Sequence, residues 1–189
     1  GMDLVPMEAD SSAEEKSYKK LFKKFWIATA FTLPIFLIAM SETVPDNPLY
    51  NLMEQKWWNW IQFGLSIPVV FYATWMFFER AYRSIKTWNL NMFTLIGIGA
   101  GVAWLFSVFG MLFPDVFPEQ FKTESGAVHV YFEAATVILT LVLLGQLLEA
   151  RAHSKTTSAV KELLKLAPSS ATKVVDGQEV AVSIDKIEL

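Results

Sequence analysis

The stretch at residues 92–113, MFTLIGIGAGVAWLFSVFGMLF, contains no charged side chain. A helix rises 1.5 Å per residue, so about 20 apolar residues cross a hydrocarbon core of about 30 Å. This run meets that length, and three others flank it. Residues 25–40 form the shortest, with Lys23 and Lys24 placed to snorkel at one end. Residues 57–78 carry Trp57, Trp58 and Trp60 at one end and Trp75, Phe77 and Phe78 at the other, the pattern of interfacial aromatic belts. Residues 126–148 are equally long but contain His129, Glu133 and Gln146. The pattern predicts an all-α membrane protein with four transmembrane helices.

Composition agrees. Of 189 residues, 53% are hydrophobic and 14% aromatic, and the charges are confined to a few stretches. A net charge of -3 and the lack of a basic face of the kind that a phosphate backbone requires argue against nucleic-acid binding. Cysteine is absent, so soft-metal chemistry within these residues falls to methionine.

Fourteen of the sixteen lysines and arginines precede the first run, lie between the second and third, or follow the fourth. Only Lys56 and Lys122 occupy the other two loops, at 41–56 and 114–125. Positive charge stays on the cytoplasmic side, so both termini are expected there in a multi-pass protein of the cell membrane. The charged residues before the first run, with no small-residue cleavage site after it, argue for a retained helix and against a signal peptide.

Beyond Leu148, Glu149 and Arg151 introduce an amphipathic stretch with Val160, Leu163, Leu164 and Leu166 among lysines, which ends at Pro168. Residues 171–175 and 178–182 then flank Asp176-Gly177, a signal for a hairpin with a type I′ turn. A lone hairpin is marginal, so this one is expected to begin a larger β domain.

Three strings carry a family resemblance: Leu90-Asn91-Met92-Phe93-Thr94-Leu95-Ile96-Gly97, Val130-Tyr131-Phe132-Glu133-Ala134-Ala135, and Leu143-Leu144-Gly145-Gln146-Leu147-Leu148-Glu149. From about Tyr18 to Leu189 the chain resembles heavy-metal-transporting P-type ATPases, specifically the copper(I) exporters. The resemblance implies that the first two helices are the class-specific pair and the next two the first core helices. The hairpin is then the start of the cytoplasmic actuator domain. The implied organisation is 1–17 as the tail of an upstream metal-binding module and linker, 18–148 as the transmembrane region, 149–168 as a cytoplasmic helical extension and 169–189 as the start of the actuator domain. The chain is thus expected to be an N-terminal fragment.

That family uses a Cys-Pro-Cys membrane site, an Asp-Lys-Thr-Gly phosphorylation motif, a Thr-Gly-Glu actuator loop and a nucleotide pocket. None of these motifs occurs in these residues. ATP and Mg are therefore implied for the intact parent only, and the fragment alone is expected to be inactive. Cu(I) is implied as the transported ion, with a copper chaperone at the cytoplasmic face.

Met92 opens the third run and Glu149 closes the fourth, so antiparallel helices bring both to one membrane face. A thioether suits Cu(I), and a carboxylate attracts a cation. The resemblance makes them part of the copper uptake site; without it, they read as a packing methionine and a solvated glutamate. Glu133 lies sixteen residues before Glu149, about 24 Å along a helix. An acid within a span is costly and marks a functional candidate, and the resemblance places Glu133 on the release path. The alternative is a carboxyl hydrogen-bonded to a neighbouring helix. His129, one helical turn earlier, reads as interfacial.

The family's second helix carries a Gly-Gly pair whose kink forms a chaperone platform. Here Ala73-Thr74 stands at that pair, which puts the kink in question, although Pro68 is placed to bend the helix instead. Arg80, Arg83 and Lys86 form a basic face there. Zinc or cadmium pumps share the architecture but lack the Asn91-Met92 opening. A stand-alone four-helix membrane scaffold, packed through Gly97, Gly99 and Gly101, is the alternative from a different class.

Overall fold

The computed structural model describes residues 11–41, 52–123, 126–165, 170–175 and 178–183. Helix α1 spans Ser11–Ser41 and α2 spans Gln55–Ile67. A π-helical turn, Pro68–Ala73, leads into α3, Trp75–Lys86. Helix α4 is Met92–Leu112, and two 3-10 turns, Pro114–Val116 and Glu119–Phe121, precede α5, Phe132–Lys165. Strands β1 (Ser170–Val175) and β2 (Gln178–Ser183) pair antiparallel, with Val175 opposite Gln178 and Ser170 opposite Ser183. The expected turn at Asp176-Gly177, the stop at Pro168 and the tail at 1–10 lie outside the described residues.

Three helical segments are long and apolar enough to cross a membrane: Glu15–Ser41, Met92–Leu112 and Phe132–His153. The run expected as a single helix at 57–78 is instead broken, and Gln55–Ala73 meets Trp75–Lys86 at 60°. This bent pair passes the same length and hydropathy criteria when its two halves are taken together.

The cause of the break is local. Pro68 has no N–H to donate into the helical ladder. Thr74 N then bonds to Val69 O at 3.0 Å, an i to i−5 bond, and Thr74 Oγ1 donates to the same carbonyl at 2.9 Å. Thr74 leaves the helical region at φ −113, ψ 6, and its carbonyl accepts from Phe77 N to start α3. A π bulge with a side-chain hydroxyl feeding its carbonyl is an established kink mechanism. Ala73-Thr74 therefore bends the chain without glycine.

Two other boundaries differ from the apolar runs. Helix α5 starts at Phe132, not at Gly126. Gly126 takes φ +77, Lys122 and Val128 form a bridge, and Tyr131 N donates to Ser107 Oγ at 2.7 Å. These bonds hold residues 126–131 outside the helix, where hydropathy alone cannot distinguish them. Helix α1 starts at Ser11, so much of the preceding charge run is helical, with Lys19 paired to Glu15 at 3.7 Å.

The core lies where α1, the π turn, α3, α4 and α5 meet: Ala28 of α1, Val69, Val70 and Ala73 of the π turn, Phe77 of α3, Ala100 of α4, and Ala135, Leu139 and Leu143 of α5. Buried Thr32 and Thr140 share a hydrogen bond of 2.9 Å between α1 and α5. Small residues permit the α3–α4 approach, since a Cβ added at Gly97 would lie 2.6 Å from Ala81 Cβ. At Gly101 it would meet the Phe78 ring at 3.4 Å, whereas at Gly99 it would meet nothing. Outside the core, Leu33, Leu37, Leu95, Val102, Leu105 and Leu141 stand exposed. So much exposed apolar surface suits lipid or further helices as its solvent.

The α3–α4 corner closes with a Schellman arrangement. Asn89 N bonds to Ser84 O at 3.1 Å and Trp88 N to Ile85 O at 3.1 Å, with Trp88 at φ 57 where glycine is the usual choice. Left-handed backbone costs a side-chain-bearing residue about 1–2 kcal/mol. Trp88→Gly is therefore expected to raise stability by about 1 kcal/mol, net of glycine's larger chain entropy. Thermal unfolding in detergent micelles checks this, and a lowered midpoint would show that the indole stabilises more than the strain costs.

Candidate metal-access site

Met92 is the first residue of α4. Asn91 caps that helix, its Oδ1 accepting from Phe93 N at 2.9 Å while its N–H donates to Thr94 Oγ1 at 3.3 Å. Thr94 Oγ1 donates to Ser84 Oγ at 2.8 Å, which ties the cap to α3. The cap fixes the backbone and leaves the thioether outward, with Met92 58% exposed. A donor that must receive an ion from solution needs this access.

Glu149 is exposed on α5, and its Oε2 accepts from Gln146 Nε2 at 2.8 Å. Gln146 Oε1 accepts from Arg80 NH1 of α3 at 2.9 Å. The Arg80 guanidinium also sits 4.8 Å from the centre of the Phe93 ring, beside Met92 in sequence. Three helices thus converge at the end of the bundle that carries Met92 and Glu149. Arg80 and Gln146 were visible in the sequence as a basic-loop residue and a polar residue in a span. Their pairing was not, because it joins side chains of two helices 66 residues apart in sequence.

Glu133 lies in the first turn of α5, half-buried, and its carbonyl accepts from Thr136 Oγ1 at 3.3 Å. It is far from Glu149 along α5 and belongs to the other end of the bundle. Its position at a helix N-terminus lowers the cost of a negative charge, because the unsatisfied N–H groups there carry partial positive charge. His129 precedes the helix and is exposed, so it does not share a helical face with Glu133. It borders a cleft of about 1060 Å³ with Glu54, Lys56, Asn59, Met111 and Lys122. Among the described residues, no three His, Asp or Glu side chains gather as a metal site.

The basic face expected on α3 is partly engaged. Arg83 pairs with Glu79 on the same helix, and Arg80 turns to Gln146.

No protein-family model matches the chain. Curated relatives do. A copper-exporting P-type ATPase of Legionella pneumophila is 44% identical over 189 residues, which is 99% of this chain and 25% of that protein. A silver-exporting P-type ATPase of Salmonella typhimurium is 39% identical over 99% of the chain and 23% of its own length. A copper-transporting P-type ATPase of Rhizobium leguminosarum is 37% identical over the whole chain and 23% of its own length. The chain thus spans about a quarter of the length of these relatives. Along its length it is a relative of the P-type ATPases, a translocase class. Within that class its relatives are metal exporters, and the resemblance to copper pumps read from its motifs holds.

Proposed function

We propose that the chain is part of an ATP-driven Cu(I) export pump and forms the ion's uptake point and part of its release path. The observation that supports this reading is that an exposed methionine, Met92, and an exposed carboxylate, Glu149, lie on helices linked through Arg80 and Gln146. A soft donor selects Cu(I), and the carboxylate supplies the attraction that brings a cation to the membrane face. Four membrane passes, with α2 and α3 as one bent span, put both termini on one side, and the lysine and arginine bias makes that side the cytoplasm. Met92 and Glu149 then face the cytoplasm, and Glu133 lies toward the outside on the release path. Helix α3, turned by 60°, provides a surface on which a copper chaperone docks. The hairpin of β1 and β2 begins the actuator domain, and the phosphorylation chemistry with ATP and Mg belongs to the whole pump. The silver exporter among the relatives fits the same soft-donor logic.

The test is Cu(I)-dependent turnover in the full-length pump with Met92→Leu, Glu149→Gln and the double change, at matched expression. Each single variant is expected to raise the Cu(I) concentration for half-maximal turnover by about tenfold, equivalent to about 1.4 kcal/mol of lost binding. If all three turn over like the unmodified protein at limiting copper, Met92 and Glu149 are packing and surface residues.

A further inference from the structure

The side chain that touches Glu149 is a neutral amide, and the amide is gripped at both ends. Gln146 Nε2 donates to the carboxylate while its Oε1 accepts from Arg80. A flipped amide would set NH2 against the guanidinium and C=O against the carboxylate, donor facing donor and acceptor facing acceptor. Only one orientation satisfies both neighbours. Arg80 is itself steadied by the Phe93 ring of α4 at 4.8 Å.

We infer that Gln146 is a positioning residue for Glu149, and that it works as a neutral spacer holding the Arg80 guanidinium off the carboxylate. This rests on the reading of Glu149 as the uptake carboxylate. An arginine in direct contact would form a bidentate ion pair, occupy both oxygens and offset the negative charge that draws a cation. With the amide interposed, Glu149 has one oxygen fixed by a neutral donor. Among the described residues Oε1 accepts no hydrogen bond and remains open to an arriving ion. Partners of this kind orient a ligand without contacting the metal.

The experiment measures Cu(I)-dependent turnover of the full-length pump, with copper buffered by a competing chelator, for Gln146→Leu, Arg80→Leu, the pair together, and Glu149→Gln alone and with Gln146→Leu. Gln146→Leu is expected to raise the half-saturating Cu(I) concentration about tenfold with maximal turnover unchanged, as for lost outer partners of metal ligands. Adding Arg80→Leu should recover most of that loss, since the competing cation is gone. In the Glu149→Gln background Gln146→Leu should have no further effect. If Glu149→Gln itself is without effect, the uptake assignment fails. If Glu149→Gln weakens half-saturation and Gln146→Leu does not, the spacer role fails while the uptake role stands. A Gln146→Leu defect that Arg80→Leu leaves uncorrected, or that lowers maximal turnover, would likewise overturn the spacer role in favour of helix packing.

Discussion

Gly97→Val is expected to separate α3 from α4 and to cost about 3 kcal/mol or more, at or beyond the upper end of ordinary overpacking penalties. Even the first added carbon would lie 2.6 Å from Ala81 Cβ, and the carbonyl of Phe77 is within 3.9 Å of the same point. Neither neighbour is the flexible end of a long side chain, so relief requires movement of the helices. The defect should therefore be reciprocal. Gly97→Ala destabilises, and combining it with Ala81→Gly restores most of the loss because the same methyl volume has changed sides. A double-mutant cycle read by thermal unfolding in detergent gives the coupling directly. Purely additive losses would mean that α3 and α4 do not meet at this crossing. Because Ala81 follows Arg80, the Gly97 variants should also weaken the link to Gln146.

Phe77→Ala should have a comparable effect, about 3 kcal/mol, within the range for emptying a buried aromatic site. Phe77 is fully buried in the cluster shared by α1, the π turn, α3, α4 and α5. Its ring stacks on Phe93 with centroids 5.9 Å apart and an interplanar angle of 11°. In a membrane little of this loss is transfer from water; it is the loss of dispersion contacts that lipid cannot replace inside the bundle. Phe77→Leu, which retains much of the volume, should lose less than half as much. Unfolding midpoints of the two variants, measured in the same detergent, check the ranking. Equal losses would point to a specific role for the ring stack beyond filling space.

The sequence was most readable where one physical signal dominated. Residues 92–112 lack charge, and the run and helix α4 nearly coincide. The second run misled because Val69, Val70, Phe71 and Tyr72 carry the apolar and aromatic character across residues 68–74, and hydropathy does not register hydrogen-bond offsets. Pro68 was the available signal, and Thr74 completed the break through a bond that only coordinates reveal. The start of α5 was missed because Val128 and Tyr131 fit an apolar run, while Val128 bridges to Lys122 and the Tyr131 N–H donates to Ser107 of another helix. Met92 and Glu149 were legible as candidate residue types at the ends of antiparallel runs. Arg80 and Gln146 gained meaning only once α3 had been turned.

The π turn between α2 and α3 also resets angular phase. An α-helix advances about 100° per residue, and a single i to i−5 turn accommodates one residue more than the regular spiral. The faces of α2 and α3 are therefore counted in separate frames: Asn59, Gln62 and Ser66 face inward on one side of the turn, and Phe77, Ala81 and Ser84 on the other. Removing one residue from Pro68–Ala73 would merge those frames and rotate α3 by about 100° about its axis relative to α2. Ala81 would leave Gly97, and Arg80 would swing away from α5. The spacing between Pro68 and Thr74 thus works as an angular setting, and the number of residues within it, more than their apolar identity, determines which side of α3 the bundle receives.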